Sequence, residues 1–172
     1  MGVRIVAAPI LFKKEVIMLR EQVVSELKKF FKIEELVCKH AYNKYSEDQC
    51  WSFFSCAALE TLLVLRKDII KKPFIINNWK KGGEFSQRGL RCNICPIPRG
   101  KTLLEKVYMS AHCTGEAFDI TVQGMSAEEA RQLIAKNAIE LPYPIRLEKD
   151  VTWLHVDAYN MGNGQKITYF KG

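Results

Sequence analysis

The residues of this 172-residue chain that could do chemistry fall in two short runs. In Ser110-Ala-His112-Cys-Thr-Gly115-Glu-Ala-Phe-Asp119 a histidine stands in a loop just ahead of a segment, 117–122, that alternates Ala117, Asp119 and Thr121 with Phe118, Ile120 and Val122. Such alternation reads as a half-buried strand with the acid on its open side. Gly115 lets the backbone bend between the two polar groups. In Trp153-Leu-His155-Val-Asp157 the same period puts Trp153, His155 and Asp157 on one face and Thr152, Leu154 and Val156 toward the core. If the two strands pair, two imidazole nitrogens and one carboxylate oxygen converge. Three protein ligands with a fourth position free are what a catalytic Zn²⁺ needs and a closed structural site lacks. The same pattern also fits two surface histidines on unrelated strands.

The remaining histidine, His40 in Cys38-Lys-His-Ala-Tyr, has no acid or second histidine at ligand spacing and reads as structural or exposed. Cys92-Asn-Ile-Cys95 is a single Cys-x-x-Cys. A zinc knuckle needs a second pair, none follows it, and the segment reads as a loop with two ordinary thiols. The six cysteines are irregularly spaced, which argues for reduced thiols over a disulfide framework.

The elements that must position these groups follow from periodicity. Residues 14–31 and 51–70 carry apolar side chains at helical spacing, the second with the stripe Ala58, Leu62, Leu65, Ile69 toward the core. Pro73 ends that helix, and Phe74-Ile75-Ile76 reads as a buried strand. Residues 79–108, rich in Gly, Pro and basic side chains, form a long loop region. Ser126 with Glu129 makes a capping box that opens a helix through about Asn137. Strand-like runs follow at 145–148, 152–158 and 166–170. Helices first and an antiparallel sheet later make an α+β domain. The organisation expected is an N-terminal helical arm over residues 1–32 and one domain over 33–172.

Of 26 basic residues, 11 lie between Arg66 and Lys106, with only Asp68, Glu84 and Glu105 against them, a local excess of +8 within a chain of net charge +7. A basic band of this kind favours an anionic partner, whether nucleic acid, anionic lipid or wall polymer. No run of about 18 apolar residues occurs, which excludes a transmembrane helix. The start, Met-Gly-Val-Arg4-Ile-Val-Ala-Ala-Pro-Ile-Leu-Phe-Lys-Lys, makes a poor secretory signal, so a cytoplasmic location is expected.

Ser-x-His-x-x-Gly-x-Ala-x-Asp followed by Trp-x-His-x-Asp resembles the zinc D-alanyl-D-alanine carboxypeptidase superfamily, which includes phage L-alanyl-D-glutamate endolysins and shares its metal-site fold with the Hedgehog signalling domain. The resemblance spans about residues 33–158, from Phe31-Lys-Ile-Glu-Glu-Leu36 through Pro73-Phe-Ile-Ile-Asn77 to both motifs. It implies that the helices pack on a small antiparallel sheet carrying the metal, that His112, Asp119 and His155 bind zinc, and that Arg91 of Ser86-Gln-Arg-Gly-Leu-Arg-Cys-Asn93 holds substrate carboxylate or oxyanion. Arg88 is the second choice for that arginine, and Arg88, Gln87 and Trp153, which shares the face of His155, are the expected substrate-binding residues. The residue three before the last histidine, an acid and general base in many members, is Thr152 here. Asp157 is then the expected general base, taking a proton from the attacking water, with Asp150 and Glu148 as alternatives. The insertion Asn78-Trp-Lys-Lys-Gly-Gly-Glu-Phe85 lengthens the approach to the arginine stretch.

The implied activity is hydrolysis of an amide in the peptide stem of bacterial peptidoglycan by a monomer acting on the wall after release, without nucleic acid and without membrane insertion. Two other classes compete. One is a zinc-containing but inactive wall-binding or structural module, favoured by Thr152. The other is a nucleic-acid binder built on the basic band, with Trp79 and Phe85 for stacking.

Overall fold

The computed structural model describes residues 18–159 and 161–172. Six helices and five strands follow one another as α1 (Arg20–Leu27), α2 (Lys39–Lys44), α3 (Glu47–Ser52), α4 (Cys56–Val64), β1 (Phe74–Ile75), α5 (Pro96–Leu103), β2 (Ala117–Val122), α6 (Ala127–Lys136), β3 (Ile145–Glu148), β4 (Leu154–Asp157) and β5 (Ile167–Phe170). Local chemistry accounts for several of the ends. Ser46 and Ser126 each cap a helix through a capping box with Gln49 and Glu129, and the Ser55 hydroxyl accepts the Ala58 N–H at the start of α4. Pro96 opens α5, where its missing N–H costs nothing. The helix expected over 51–70 is interrupted at 53–55 and then runs as α4 into a π-helical turn, Leu65–Ile69, before Pro73.

The sheet order is β1-β2-β4-β3-β5. β1/β2, β2/β4 and β4/β3 are antiparallel, whereas β5 lies parallel to β3 at the far edge. The sheet is therefore mixed, a departure from the purely antiparallel one expected. The fold class, α+β, is as expected.

One face of the sheet carries Phe118, Ile120, Val122, Leu154, Val156, Ile145 and Leu147, all buried in a core shared with Leu59, Leu62, Leu65, Ala130 and Ile134. Removing each such large side chain from water is worth about 1.5–3 kcal/mol, which is what holds helices and sheet together. α6 lies across β2 and β4, and the Phe54 and Phe118 rings stack at 5.3 Å. α1 packs on α4, and Val23, Leu27 and Phe31 belong to this same core. Residues 20–32, expected in a separate arm, are thus part of the domain's packing, while the rest of that arm, 1–17, lies outside the described residues.

The opposite face holds the polar groups. Asp119, expected on an open side, is only 7% exposed, because the loops at 87–91 and 108–115 close over it. Two glycines make those closures sterically feasible. Gly115 has φ +72°, and a Cβ there would lie 2.0 Å from the Phe53 carbonyl oxygen. A Cβ on Gly89 would lie 1.8 Å from the Leu36 oxygen.

Candidate metal centre

Strand register brings the first ligand pair together. Asp119 of β2 sits directly across from His155 of β4, so their side chains share a face. His112 enters from the turn at 110–115, where Cys113 N–H donates to the Ser110 carbonyl and Glu116 N–H to the Ala111 carbonyl, both at 2.8 Å. The result is a compact buried trio. His112 Nε2 lies 3.2 Å from Asp119 Oδ2, and His155 Nδ1 lies 2.7 Å from Asp119 Oδ1. All three ligand atoms fall within 4.8 Å of one another.

Each histidine is also held from behind. The Gly89 carbonyl oxygen, 2.9 Å from His112 Nδ1, can only accept, so Nδ1 carries the proton and the Nε2 lone pair faces the trio. For His155 the roles reverse: Nε2 donates to Asp157 Oδ2 at 3.0 Å, which turns Nδ1 toward Asp119. Asp157 in turn receives two bonds from Arg146, Nε to Oδ1 at 2.9 Å and an Nη to Oδ2 at 3.0 Å, plus the Tyr159 N–H. An imidazole backed by a carbonyl or carboxylate, with its other nitrogen free, is the arrangement of a metal-binding histidine. Two nitrogens and a carboxylate oxygen are a donor set that suits Zn²⁺.

Comparison of the chain with family models, with curated proteins and with solved structures finds no match.

The geometry of the trio changes the part expected of Asp157. A general base would have to stand on the metal side of His155, whereas Asp157 stands on the far side of the ring, clamped by Arg146. It orients the imidazole. Asp150 is exposed and paired with Lys171 at 2.7 Å, Glu148 lies against Gly172, and Thr152 is exposed beside Thr121 and Ser126. β4 begins only at Leu154, so strand alternation does not extend to Trp153, whose carbonyl accepts from Arg131.

Arg91 is at the centre. One Nη donates to Asp119 Oδ2 at 3.1 Å, Nε donates to the Gln87 carbonyl, and the other Nη reaches the Tyr108 hydroxyl at 3.3 Å. Gln87 thereby contributes its backbone, while its side-chain oxygen accepts the Ile97 N–H at the start of α5. Arg88 lies along the same sheet face, bonded to Thr121 at 2.7 Å and stacked over Phe85.

Reading the residues locally missed three participants. Arg146 carries no motif of its own. Cys38 and His40 join Cys92 and Cys95 in a second group whose four ligand atoms also lie within 4.8 Å of one another. The pair that Cys92-x-x-Cys95 lacked downstream stands 52 to 54 residues upstream of Cys92 and is one imidazole and one thiol. Only the shared Cys/His chemistry of residues 38–40 and 92–95 could have signalled it.

Burial and charge set the protonation of the trio. Burial works against ionising Asp119, but the contacts with His112 and His155 outweigh it and hold the carboxyl well below its usual range. Burial keeps His112 neutral, its pKa pushed down. Burial also opposes charging His155, yet Asp119 and Asp157 on either side raise its pKa to about 9. The His155 contribution to stability is therefore complete below its unfolded value near 6.5 and is lost as pH rises through about 9. His112 acts oppositely, since it must charge while buried as pH falls below its unfolded value. Metal-free protein should accordingly lose thermal stability from pH 7 to 9, and a bound cation, which replaces the Nδ1 proton, should flatten that loss. Melting curves across this range with chelator and with zinc measure it. Identical slopes would contradict the assignment of His155 Nδ1 as a ligand.

Proposed function

We propose that the chain is a zinc-dependent peptidase of the bacterial cell wall, hydrolysing an amide bond in the peptide stem of peptidoglycan. The observation that carries this reading is the pair of oppositely locked imidazoles: His112 offers Nε2, His155 offers Nδ1, and Asp119 bridges the space between them. The order and spacing of these residues within the carboxypeptidase-like motifs support the same reaction class. Zinc held there would supply a Lewis acid for the scissile carbonyl and a water acidified to near-neutral pH. Arg91 has two N–H groups beyond the three it uses within the chain, and they suit a carboxylate or a developing oxyanion beside Asp119.

The basic band supports the choice of substrate less than its count implies. Lys67, Lys80, Lys81 and Arg91 pair with Glu26, Glu34, Glu35 and Asp119. Among the described residues Arg66, Lys71, Lys72, Arg88, Arg99, Lys101 and Lys106 have no carboxylate within ion-pair distance, which leaves their charge available to an anionic wall, although Arg66 also lies over Phe30 and Arg88 over Phe85. Trp79 donates to the Val37 carbonyl and packs on Tyr42, and Phe85 lies under Arg88, so the aromatics that a single-stranded nucleic acid would stack on are engaged within the chain.

One observation favours a second reading, a zinc-containing wall-binding module without activity. None of Asp157, Asp150, Glu148 and Thr152 stands where a general base is needed. Digestion of purified muropeptides by the zinc-loaded chain, with fragments read by mass spectrometry, decides between the two. Cleavage that disappears on chelation establishes the peptidase. Intact muropeptides together with retention on insoluble peptidoglycan establish the binding module.

Arg91→Lys should lower the rate of muropeptide cleavage about tenfold to a hundredfold, since lysine keeps the charge but loses the fork that joins Asp119, Gln87 and Tyr108. Full zinc with a reduced rate assigns Arg91 to the substrate. Reduced zinc assigns it to holding Asp119, and an unchanged rate removes it from the site.

A further inference from the structure

We infer that Cys38, His40, Cys92 and Cys95 form a second, structural zinc site, separate from the trio and independent of whether the trio hydrolyses anything. The distances match the ion. Four ligands around Zn²⁺ at about 2.3 Å for sulfur and about 2.0–2.1 Å for nitrogen make a tetrahedron with S–S edges of about 3.8 Å and S–N edges of about 3.6 Å. Cys92 Sγ lies 3.6 Å from Cys95 Sγ and 3.4 Å from His40 Nδ1, and Cys95 Sγ lies 3.6 Å from His40 Nδ1. Cys38 Sγ closes the group within 4.8 Å of the others. A disulfide would need sulfurs about 2.05 Å apart, and all six cysteines are free thiols. Three thiols, Cys38 and Cys95 buried and Cys92 half-buried, gather around one imidazole.

The backbone builds the site in advance. Cys38 N–H donates to the Leu90 carbonyl at 3.0 Å and Leu90 N–H to the Leu36 carbonyl at 2.8 Å, a short parallel bridge that sets the segment before α2 beside the segment before α5. Cys38 precedes α2, His40 lies in its first turn, Cys95 caps α5 and Cys92 stands in the turn leading to it. Four protein ligands leave no open position, which marks a structural rather than a catalytic ion. What the clip would hold is the stretch 89–95, otherwise without regular structure. That stretch supplies the Gly89 carbonyl behind His112 and the Arg91 side chain against Asp119.

Cobalt(II) reports thiolate ligands directly, through sulfur-to-metal charge-transfer absorption that the trio, having no sulfur, cannot produce. Titrating the full chain with Co²⁺ under reducing conditions should give this absorption and saturate it at one equivalent. It should persist in His112→Ala/His155→Ala, vanish in Cys92→Ser/Cys95→Ser, and survive His40→Cys, which keeps four ligands. A cobalt complex of the wild-type chain without the thiolate band, or a disulfide among these four cysteines when thiols are blocked at purification, would overturn the site. If the double serine variant does not fold, the wild-type spectrum and its persistence in the double alanine variant still decide.

Discussion

Asp119→Asn should strip the trio of its metal and reduce hydrolysis of muropeptides to background, the largest effect expected of any single substitution in this chain. Asp119 is the only anionic group of the three, and both of its oxygens are used, one by His155 Nδ1 and the other by His112 Nε2 and Arg91. An asparagine keeps the shape but not the charge, and it turns an NH₂ toward at least one nitrogen that also needs an acceptor or a cation. The rate loss should be no smaller than the roughly 10²–10⁴-fold that follows removal of a general base. The fold should survive, at a cost of about 1–3 kcal/mol for the bonds left unmade, because the apolar core lies on the other face of the sheet. Elemental analysis gives the sharpest reading: zinc should fall from two equivalents to one, the second belonging to the cysteine site. A variant that keeps both equivalents would remove Asp119 from the ligand set.

Arg146→Ala should be the most destabilising change at the site that leaves every proposed ligand in place. Asp157 has no exposed side-chain surface, and Arg146 is its bidentate partner. Removing one member of a buried ion pair typically costs about 3–5 kcal/mol, since the remaining charge stays buried. Here the lower end is expected, because His155 Nε2 and the Tyr159 N–H still bond to the carboxylate. For a chain of this size that is a fall of roughly 6–12 °C in melting temperature. The same change should loosen the His155 ring and weaken metal binding about tenfold to a hundredfold, the usual effect of losing support behind a ligand. Thermal melts and a competition assay with a chromophoric chelator measure both. Loss of stability without loss of affinity would mean that Asp157 holds His155 adequately alone.

Short-range pattern was enough wherever one segment's own period or end chemistry decides its structure. The alternation of residues 117–122 matches β2 to the residue, and Ser126 with Glu129 caps α6 as read. It also put Asp119 and His155 each on the polar face of its strand, and once β2 and β4 pair, register alone makes them neighbours. The long stretch 79–108 reads as loop for its Gly and Pro content, yet it contains α5, which starts at a proline that composition treats as a breaker.

Other features were settled only by which segments meet. Alternation places Asp157 on the face of His155 but cannot say which side of the ring it stands on. That depends on Arg146, brought opposite Asp157 by the pairing of β3 with β4. The burial of Asp119 depends on Arg91 and His112, which come from two separate loops. Cys38 and His40 are ordinary side chains until the Val37–Leu90 bridge sets them against Cys92 and Cys95. The sequence by itself determined β2, the cap of α6 and the polar faces that carry Asp119 and His155, because periodicity and capping act over a few residues. Tertiary structure alone decided which groups face into the trio and which stand behind it, because that rests on the register and closure of segments from 11 to 55 residues apart.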